Sequence, residues 1–413
     1  MIKFRFSLFA LLGVLLLVSF SRCQKEEDLA PVPTPEALDT RLKDIYEQSN
    51  FAGFSVSVVK QGEIAFQKSY GQADVDQGVD LTNQTAMNIA SISKLFIGVA
   101  LMNVVEQGKI TLETDINDVL PFTVTNPHSP ETPIQVKHLI THTSGIIDDE
   151  GTYFSNYSIL ASEDLSSPMA QRLQSELGVK TDGKVLSLEE FIQAYLTPSG
   201  SLYRSTNFGE YATGSTYSYS NIGSALAAYI IEIVTGKPFD EYTQEVIFEP
   251  LQMNSTAWKL TQIDRSQVSY QYWDRDNPIP FYTIATYPDG SLVTSIEDLT
   301  NFMLEMMKGQ SGQSEFLLSK ASYQTLFSQK LDTRLPGLPE REANYGVFWV
   351  WSTSGRIGHT GGDLGSSAFL GFDPTTQSGS ILIINTNTDE AGNGAQERVA
   401  EIIRAYKSFE RVK

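Results

Sequence analysis

The sequence predicts an α/β plus all-α fold, with an antiparallel sheet assembled from two distant parts of the chain and flanked by helices. Two segments of alternating apolar residues, 54–59 and 63–70, lie on either side of Gln61-Gly62 and predict an early hairpin. Further strand-like segments appear only much later, at 347–352, 366–372 and 379–385. Between these two parts, from about residue 92 to 280, helical periodicity dominates, so we expect a helical subdomain inserted into the sheet.

Helices are predicted where apolar residues recur every three or four positions. The predicted helices are residues 38–50, 92–107, 134–142, 188–196, 222–235, 239–247 and 391–409. The first and the last of these are expected to flank the sheet. The others belong to the inserted subdomain.

The first 22 residues have the order of a signal peptide. Lys3 and Arg5 precede an apolar stretch, residues 6–20, and about 15 residues are fewer than the roughly 20 that a spanning helix needs. The only cysteine, Cys23, follows directly, and a single cysteine cannot form an internal disulfide. We therefore expect cleavage before Cys23 and lipid attachment to its sulfur, which resembles a bacterial lipoprotein signal. Arg22 departs from that pattern, and ordinary cleavage to a secreted protein is the alternative.

Residues 23–37 are polar and rich in proline, which predicts a tether between a membrane surface and a folded domain at 38–413. The net charge of −19 is scattered along the chain, so it indicates solubility. It also argues against nucleic acid as a partner, since such binding needs basic patches.

The tetrapeptide Ser91-Ile92-Ser93-Lys94 opens one of the predicted helices. Ser91 then lies one helical turn from Lys94 on the same face. A serine hydroxyl becomes a strong nucleophile only when a base takes its proton, and desolvation can lower a lysine pKa enough for that role. Taken alone, the pattern fits an N-cap serine and a solvated lysine better.

Two later elements change this interpretation. Tyr219 and Asn221 stand just before the predicted helix at 222–235, where alone they would be turn and N-cap residues. The segment Gly358-His359-Thr360-Gly361-Gly362 lies between predicted strands. The order Ser-x-x-Lys, Tyr-x-Asn and a basic residue before Thr-Gly resembles the penicillin-recognising serine hydrolases. This superfamily includes class C β-lactamases, D-alanyl-D-alanine carboxypeptidases, D-aminopeptidases and esterases, and the resemblance covers about residues 40–410.

The resemblance implies an α/β sandwich with an all-α partner and an active site in the cleft between them. Ser91 would attack a carbonyl and form an acyl-enzyme. Lys94 would take the Ser91 proton, a role that Tyr219 would share or replace, and the sequence leaves the choice open. The residues expected to contact substrate are Asn221, His359, Thr360 and Gly361. The oxyanion hole would be formed by the backbone N–H groups of Ser91 and Gly362.

His359 stands where most β-lactamases of this kind have lysine. An ordinary histidine has a pKa of about 6.5, so we expect His359 to titrate between pH 6 and 7.5 and to offer no permanent cation to a substrate carboxylate. The sequence therefore favours a D-amino-acid peptidase or carboxypeptidase, or an esterase. The alternatives are a β-lactamase and a lipoprotein that uses the fold for binding or sensing without turnover. No cofactor is expected, and the substrate would be a peptide or a small molecule.

Two other groups of residues are open to more than one interpretation. His138 and His142 have the i, i+4 spacing of a metal pair, but neither a third ligand nor a following glutamate is evident, so we expect them to cap and brace a helix end. The aromatic stretch containing Tyr270, Tyr272, Trp273, Phe281 and Tyr282 is expected either to line the cleft or to be a packed loop, since Pro278 and Pro280 interrupt regular structure. Residues 146–216 lack family-like features and are expected to shape specificity.

Overall fold

The computed structural model describes residues 31–388 and 394–412. Cys23 and the predicted signal peptide lie outside these residues. Eleven α-helices occur in the described part. They are α1 (Pro35–Glu47), α2 (Ser93–Glu106), α3 (Val136–Ile140), α4 (Glu150–Tyr153), α5 (Pro168–Leu177), α6 (Leu188–Leu196), α7 (Asn221–Thr235), α8 (Phe239–Thr243), α9 (Ile296–Gln310), α10 (Lys320–Phe327) and α11 (Ala395–Arg411).

Fifteen strands accompany these helices in the described residues. They are β1 (Gly53–Lys60), β2 (Glu63–Asp74), β3 (Val79–Asp80), β4 (Met87–Asn88), β5 (Tyr157–Ile159), β6 (Thr256–Ala257), β7 (Gln271–Asp274), β8 (Asn277–Ile279), β9 (Tyr282–Ile284), β10 (Val293–Thr294), β11 (Glu342–Tyr345), β12 (Val350–Ser352), β13 (Ile357–Asp363), β14 (Ser366–Asp373) and β15 (Ser378–Ile384).

The main sheet has eight strands in the order β11-β12-β13-β14-β15-β1-β2-β3, and its neighbouring strands are antiparallel. The early hairpin therefore joins the late strands through the β1–β15 pair, where Phe54 lies opposite Ile384. This arrangement confirms the predicted fold class.

Helices cover both faces of the central strands, which is why β1 and β15 are almost wholly buried. Leu382 and Ile384 pack with α1 and α11 in one apolar cluster, while Ile381 and Ile383 face the larger cluster around α2, α7 and α9. Alternate residues of one strand thus serve two cores. The larger core joins the sheet to the inserted helices and places the cleft between them.

The inserted region also contains short strands. They are the hairpin β7–β8 and the strands β5 and β6, which pair with β9 and β10 from outside the region. Pro278 lies inside β8, although prolines were expected to prevent regular structure there. A two-stranded hairpin has an outer edge on each strand, so a residue without an N–H group is tolerated.

Other differences concern the bounds of elements. The first helix begins at Pro35, so residues 35–37 of the predicted tether are helical, with the Thr34 hydroxyl accepting from the Ala37 N–H. The strand expected at 347–352 begins only at Val350, since Phe348 has a left-handed φ of 62° that strands exclude. The predictions missed four helices, α4, α5, α9 and α10. Within the described residues no single helix is long and apolar enough to cross a membrane. The bent pair Asn221–Thr235 and Phe239–Phe248, taken together, has the length and composition of a candidate span.

Candidate active site

Ser91 lies in a single 3₁₀ turn, Ala90–Ile92, directly before α2. Ala90 has a left-handed φ of 46°, which is strained for a residue with a side chain. The turn is held in place by Asn88, whose Oδ1 accepts the Ala90 N–H at 2.8 Å. Ser91 itself is partly exposed, so its hydroxyl is accessible from the cleft.

The amine of Lys94 is fully buried and makes three hydrogen bonds. It donates to Ser91 Oγ at 3.0 Å, to Asn221 Oδ1 at 2.7 Å and to the backbone oxygen of Asp289 at 2.6 Å. The alternative of a solvated lysine is therefore wrong. Burial lowers the pKa of Lys94, although nearby carboxylates oppose the shift.

Tyr219 lies beside this pair, with the Lys94 Nζ 5.0 Å from the centre of its ring. The ring of His142 lies 4.4 Å from the Tyr219 ring and that of His359 lies 6.1 Å away. The Tyr219 hydroxyl is buried and has no hydrogen-bond partner among the residues that the structure describes. Burial raises its pKa well above the usual value, and proximity to Ser91 opposes this only in part. The phenol is therefore neutral in the free protein.

His359 is buried, and its Nδ1 donates to the Thr360 carbonyl at 2.5 Å, which leaves Nε2 as an acceptor. Burial, followed by the charge of Lys94, lowers the His359 pKa to about 4. The expectation that His359 titrates between pH 6 and 7.5 is therefore wrong, since the ring is neutral throughout that range. The Thr360 side chain is exposed.

Strand β13 runs alongside the turn that holds Ser91. A Cβ atom at Gly361 would lie 2.3 Å from the Ile89 carbonyl oxygen, so glycine is required there by the protein's own backbone. This contact places Gly361 and Gly362 next to the nucleophile turn. The assignment of the Ser91 and Gly362 N–H groups as an oxyanion hole stays a prediction.

Three carboxylates that sequence reasoning missed surround Lys94. Asp148 accepts hydrogen bonds from the N–H groups of Asn221 and Ile222 and from the Ser220 hydroxyl, at 2.7 to 3.0 Å. It therefore caps the start of α7, the helix whose first residue is Asn221, with a charge that the helix dipole favours. Asp148 belongs to no local sequence pattern, so only the folded chain reveals it.

Asp363 and Asp289 are joined to tyrosines. The Asp363 carboxylate accepts from the hydroxyls of Tyr157 at 3.3 Å and Tyr282 at 3.0 Å, and from the Leu364 N–H at 2.8 Å. Asp289 accepts weakly from Tyr153 at 3.5 Å, and its Oδ2 has no partner among the described residues. Burial raises the pKa of both carboxyl groups, while the charge of Lys94 opposes the shift. The one available sequence signal was the position of Asp363 directly after Gly361-Gly362.

The aromatic stretch divides between the two expected roles. Tyr282 adjoins the carboxylates around Lys94, because its hydroxyl donates to Asp363. Tyr272 is buried, and its hydroxyl accepts the Val75 N–H, while Phe281 packs with Tyr270. Trp273 lies under the Arg172 guanidinium. These four residues are structural, and Tyr282 alone of the five adjoins the site.

His138 and His142 bind backbone groups. His138 Nδ1 accepts the Gln135 N–H and so caps α3, as expected. His142 instead accepts the N–H of Ser220, next to Tyr219. The described residues contain no group of three His, Cys, Asp or Glu side chains placed to hold a metal ion.

The structure thus brings together Ser91, Lys94, Tyr219, Asn221 and His359 from three separate segments. The arrangement has a nucleophile, a buried amine that contacts it, and a neutral phenol and imidazole facing the same space. These are the groups that acyl transfer through a serine requires.

Comparisons with known proteins agree with this geometry. The Beta-lactamase family model matches residues 38–404. The chain is 23% identical over 361 residues to Protein flp of Staphylococcus aureus (strain MW2), covering 86% of this chain and 64% of that protein. It is 24% identical over 349 residues to Penicillin-binding protein 4* of Bacillus subtilis (strain 168), covering 81% and 68%.

Among solved structures, the octameric penicillin-binding protein homologue from Pyrococcus abyssi superposes with a TM-score of 0.67 and 22% identity, covering 89% of this chain and 77% of that one. A class C β-lactamase superposes with a TM-score of 0.63 and 17% identity, covering 90% and 96%. At such identities the likeness of the structures shows the fold alone. The family match, by contrast, spans most of the chain, and the protein therefore belongs to the Beta-lactamase family.

Proposed function

We propose that this protein is a serine hydrolase that acts on an amide or ester through an acyl-enzyme at Ser91. The observation that supports this most directly is the 3.0 Å hydrogen bond between Ser91 Oγ and the fully buried amine of Lys94. A protein that only bound ligands would gain nothing from holding a lysine amine against a serine hydroxyl, because removing the amine from water costs free energy. The non-catalytic alternative is therefore disfavoured.

In the proposed reaction, Ser91 Oγ bonds to the substrate carbonyl carbon while its proton passes to the neutral form of Lys94 or through Tyr219. The bond to the leaving amine or alcohol then breaks, and that group takes the proton. Water attacks the resulting ester of Ser91, and the same groups accept its proton. The bond between Ser91 Oγ and the carbonyl carbon then breaks, Oγ takes that proton back, and the acid product leaves. If the Ser91 and Gly362 N–H groups bind the oxyanion, each contributes about 3–4 kcal/mol to transition-state stabilisation.

The charge of the site favours some substrates over others. Burial raises the pKa of both Asp148 and Asp363, but each accepts three hydrogen bonds, which favour the ionised form. Lys94 is the only cation that contacts Ser91 within the described residues, and His359 is neutral. A site with more carboxylates than cations repels a substrate carboxylate. We therefore rank a D-amino-acid aminopeptidase or an esterase above a carboxypeptidase or a β-lactamase.

Labelling with a fluorophosphonate, read by intact mass, tests the nucleophile. The wild type is expected to gain one adduct, and Ser91→Ala none. Ser93→Ala is a matched control, because this serine two residues away is buried and accepts the Leu292 N–H outside the cleft. Full labelling of a folded Ser91→Ala protein would refute the assignment.

Substrate ranking needs three kinds of probe. We expect turnover of a neutral p-nitrophenyl ester and of D-alanine p-nitroanilide, which has a free amine. We expect much weaker turnover of N-acetyl-D-alanyl-D-alanine and of penicillin G, whose carboxylates lie near the scissile bond. The reverse order would point to carboxypeptidase or β-lactamase activity.

We also propose that the protein is exported and anchored to the bacterial cell envelope by lipid on Cys23. Stable anchoring needs more than one acyl chain, so a multiply acylated N-terminus is expected. The full-length protein should enter the detergent phase in a phase-partition experiment, while Cys23→Ser should stay in the aqueous phase. A wild type found only in the aqueous phase would instead support simple secretion.

A further inference from the structure

We propose that His142 is a positioning residue that holds the Tyr219 ring against Ser91 and Lys94. The inference rests on the proposed function, since it assigns a residue to the same reaction. It comes from two kinds of contact between His142 and the segment around Tyr219, and from the lack of a hydrogen-bond partner for the Tyr219 hydroxyl among the described residues. None of these contacts is needed to cap a helix.

The first contacts involve the backbone on both sides of Tyr219. The Ser218 N–H donates to the His142 carbonyl at 2.8 Å, and the Ser220 N–H donates to His142 Nδ1 at 3.2 Å. One residue therefore binds both chain neighbours of Tyr219. His142 reaches both partners with a left-handed φ of 53°, a strained conformation that persists only where the surrounding structure enforces it.

The second contact is between rings. The His142 ring lies 4.4 Å from the Tyr219 ring at an interplanar angle of 34°. Behind His142, the rings of Tyr217, Tyr345 and Phe348 meet it edge-on at 5.7 to 5.9 Å. His142 is thus wedged between an aromatic wall and the proposed catalytic tyrosine.

The third observation concerns what does not hold Tyr219. Its hydroxyl lies near Ser91 but has no hydrogen-bond partner of good geometry among the described residues, so no such bond fixes its direction. The ring contacts and the two backbone bonds must do so. Because Tyr219 Oη has to reach Ser91 or Lys94 for proton transfer, the placement of the ring decides whether the transfer is efficient.

His142 also performs this task without adding charge. Its Nδ1 accepts a hydrogen bond, so the proton of the neutral ring is on Nε2. Burial, and then the charge of Lys94, holds its pKa well below the ordinary value. A neutral aromatic ring can lie next to Tyr219 without repelling the lysine.

Two variants separate the backbone bond from the ring. His142→Asn retains an acceptor for the Ser220 N–H and tolerates a positive φ, but it removes the ring. His142→Phe retains a ring and removes the acceptor. The matched control is His138→Asn, which changes the other histidine of the same segment, whose Nδ1 caps α3 and which has no contact with Tyr219.

The probes are a fluorophosphonate, for the rate of serine modification, and p-nitrophenyl acetate, for kcat and KM. We expect each His142 variant to lower the modification rate and kcat by about 10- to 100-fold, as misplacing a catalytic group by 1 Å can do, with KM nearly unchanged. His138→Asn should leave both rates within twofold of the wild type.

The decisive comparison uses Tyr219→Phe as background. Without the phenol hydroxyl, the direction of the ring has no consequence, so adding His142→Asn should cost no further activity. Equal losses in both backgrounds, or a normal rate in a folded His142→Asn protein, would overturn the proposal. If neither His142 variant shows a cooperative thermal melt, His142 is required for folding itself, and that result would also overturn the proposal. If Ser91→Ala labels as well as the wild type, the proposed function fails first, and that result is separate from these.

Discussion

The two walls of the cleft differ in how they are built. One wall consists of short sequence motifs, with Ser91 and Lys94 only three residues apart and His359 beside Thr360-Gly361. The other wall consists of Asp148, Asp289 and Asp363, which come from three separate segments and bind tyrosines or helix N–H groups. In the proposed reaction, the first wall holds the groups that exchange protons with the substrate. The second holds charges that act on those groups from a short distance.

This difference suggests that the two walls have separable effects. Substitutions in the motif wall should change the chemical step by orders of magnitude. Substitutions in the acidic wall should shift pKa values, stability or substrate preference by smaller amounts. Each prediction below tests that division.

The largest effect is expected from Lys94→Ala and Tyr219→Phe. Each should lower the rate of acylation by about 10²- to 10⁴-fold, because each removes a group that serves one proton transfer. The double variant should be little worse than the poorer single variant. Lys109→Ala is a suitable control, since that amine binds the Val234 carbonyl at the surface. Stopped-flow acylation with a chromogenic ester measures all four proteins, and strictly multiplicative losses would contradict a shared role.

An intermediate effect is expected on the pH dependence of kcat/KM. If neutral Lys94 is the base, activity rises with pH as Lys94 loses its proton, and burial places this limb below the ordinary lysine pKa of about 10.4. His359→Lys adds a second cation next to Lys94, which disfavours the protonated form and moves the limb to lower pH. A limb near pH 6.5 that disappears in His359→Lys would instead show that His359 titrates.

The smallest effect is expected from Asp148→Asn. An amide offers only one acceptor oxygen to the N–H groups at the start of α7, so stability should fall by about 1–3 kcal/mol. Asn221 would lose its backbone anchor, and activity should fall only severalfold. Asp149→Asn is the matched control. The Asp149 carboxylate is next in the chain to Asp148, but among the described side chains its hydrogen-bond partner is the Thr152 hydroxyl. Urea unfolding measures the difference, and a loss of activity as large as that of Lys94→Ala would remove the distinction between the walls.

How far the sequence predicts this molecule depends on whether a feature is local. The hairpin at 53–74 and helix α6 follow from periodicity within a few residues, and the structure has them where they were expected. Lys94 and Ser91 are one turn apart, so their contact also follows from the chain itself. The contact between Lys94 and the Asp289 carbonyl joins residues 195 positions apart, and no local pattern encodes it.

The pKa of His359 illustrates the same limit for electrostatics. The identity of His359 and its place before Thr360-Gly361 can be taken from the sequence. Its protonation depends on burial and on the charge of Lys94, which only the folded chain brings near. Phe348 is another case, since its apolar neighbours predict a strand, whereas the residue has a left-handed φ and its N–H donates to the distant Ile140 carbonyl. Tertiary contacts decide both.

The pairing of β1 with β15 has a consequence for how the protein matures. One edge of β1 stays unpaired until residues 378–384 form β15. Strand β13, which packs against the Ser91 turn, is joined to β15 through β14. Contacts between residues so far apart in the chain make folding slow. A growing or truncated chain that ends before β15 exposes the bare edge of β1, which is prone to pair with other chains. If Ser91 is the nucleophile as proposed, it is synthesised early but becomes competent only after β15 has paired with β1 and β14.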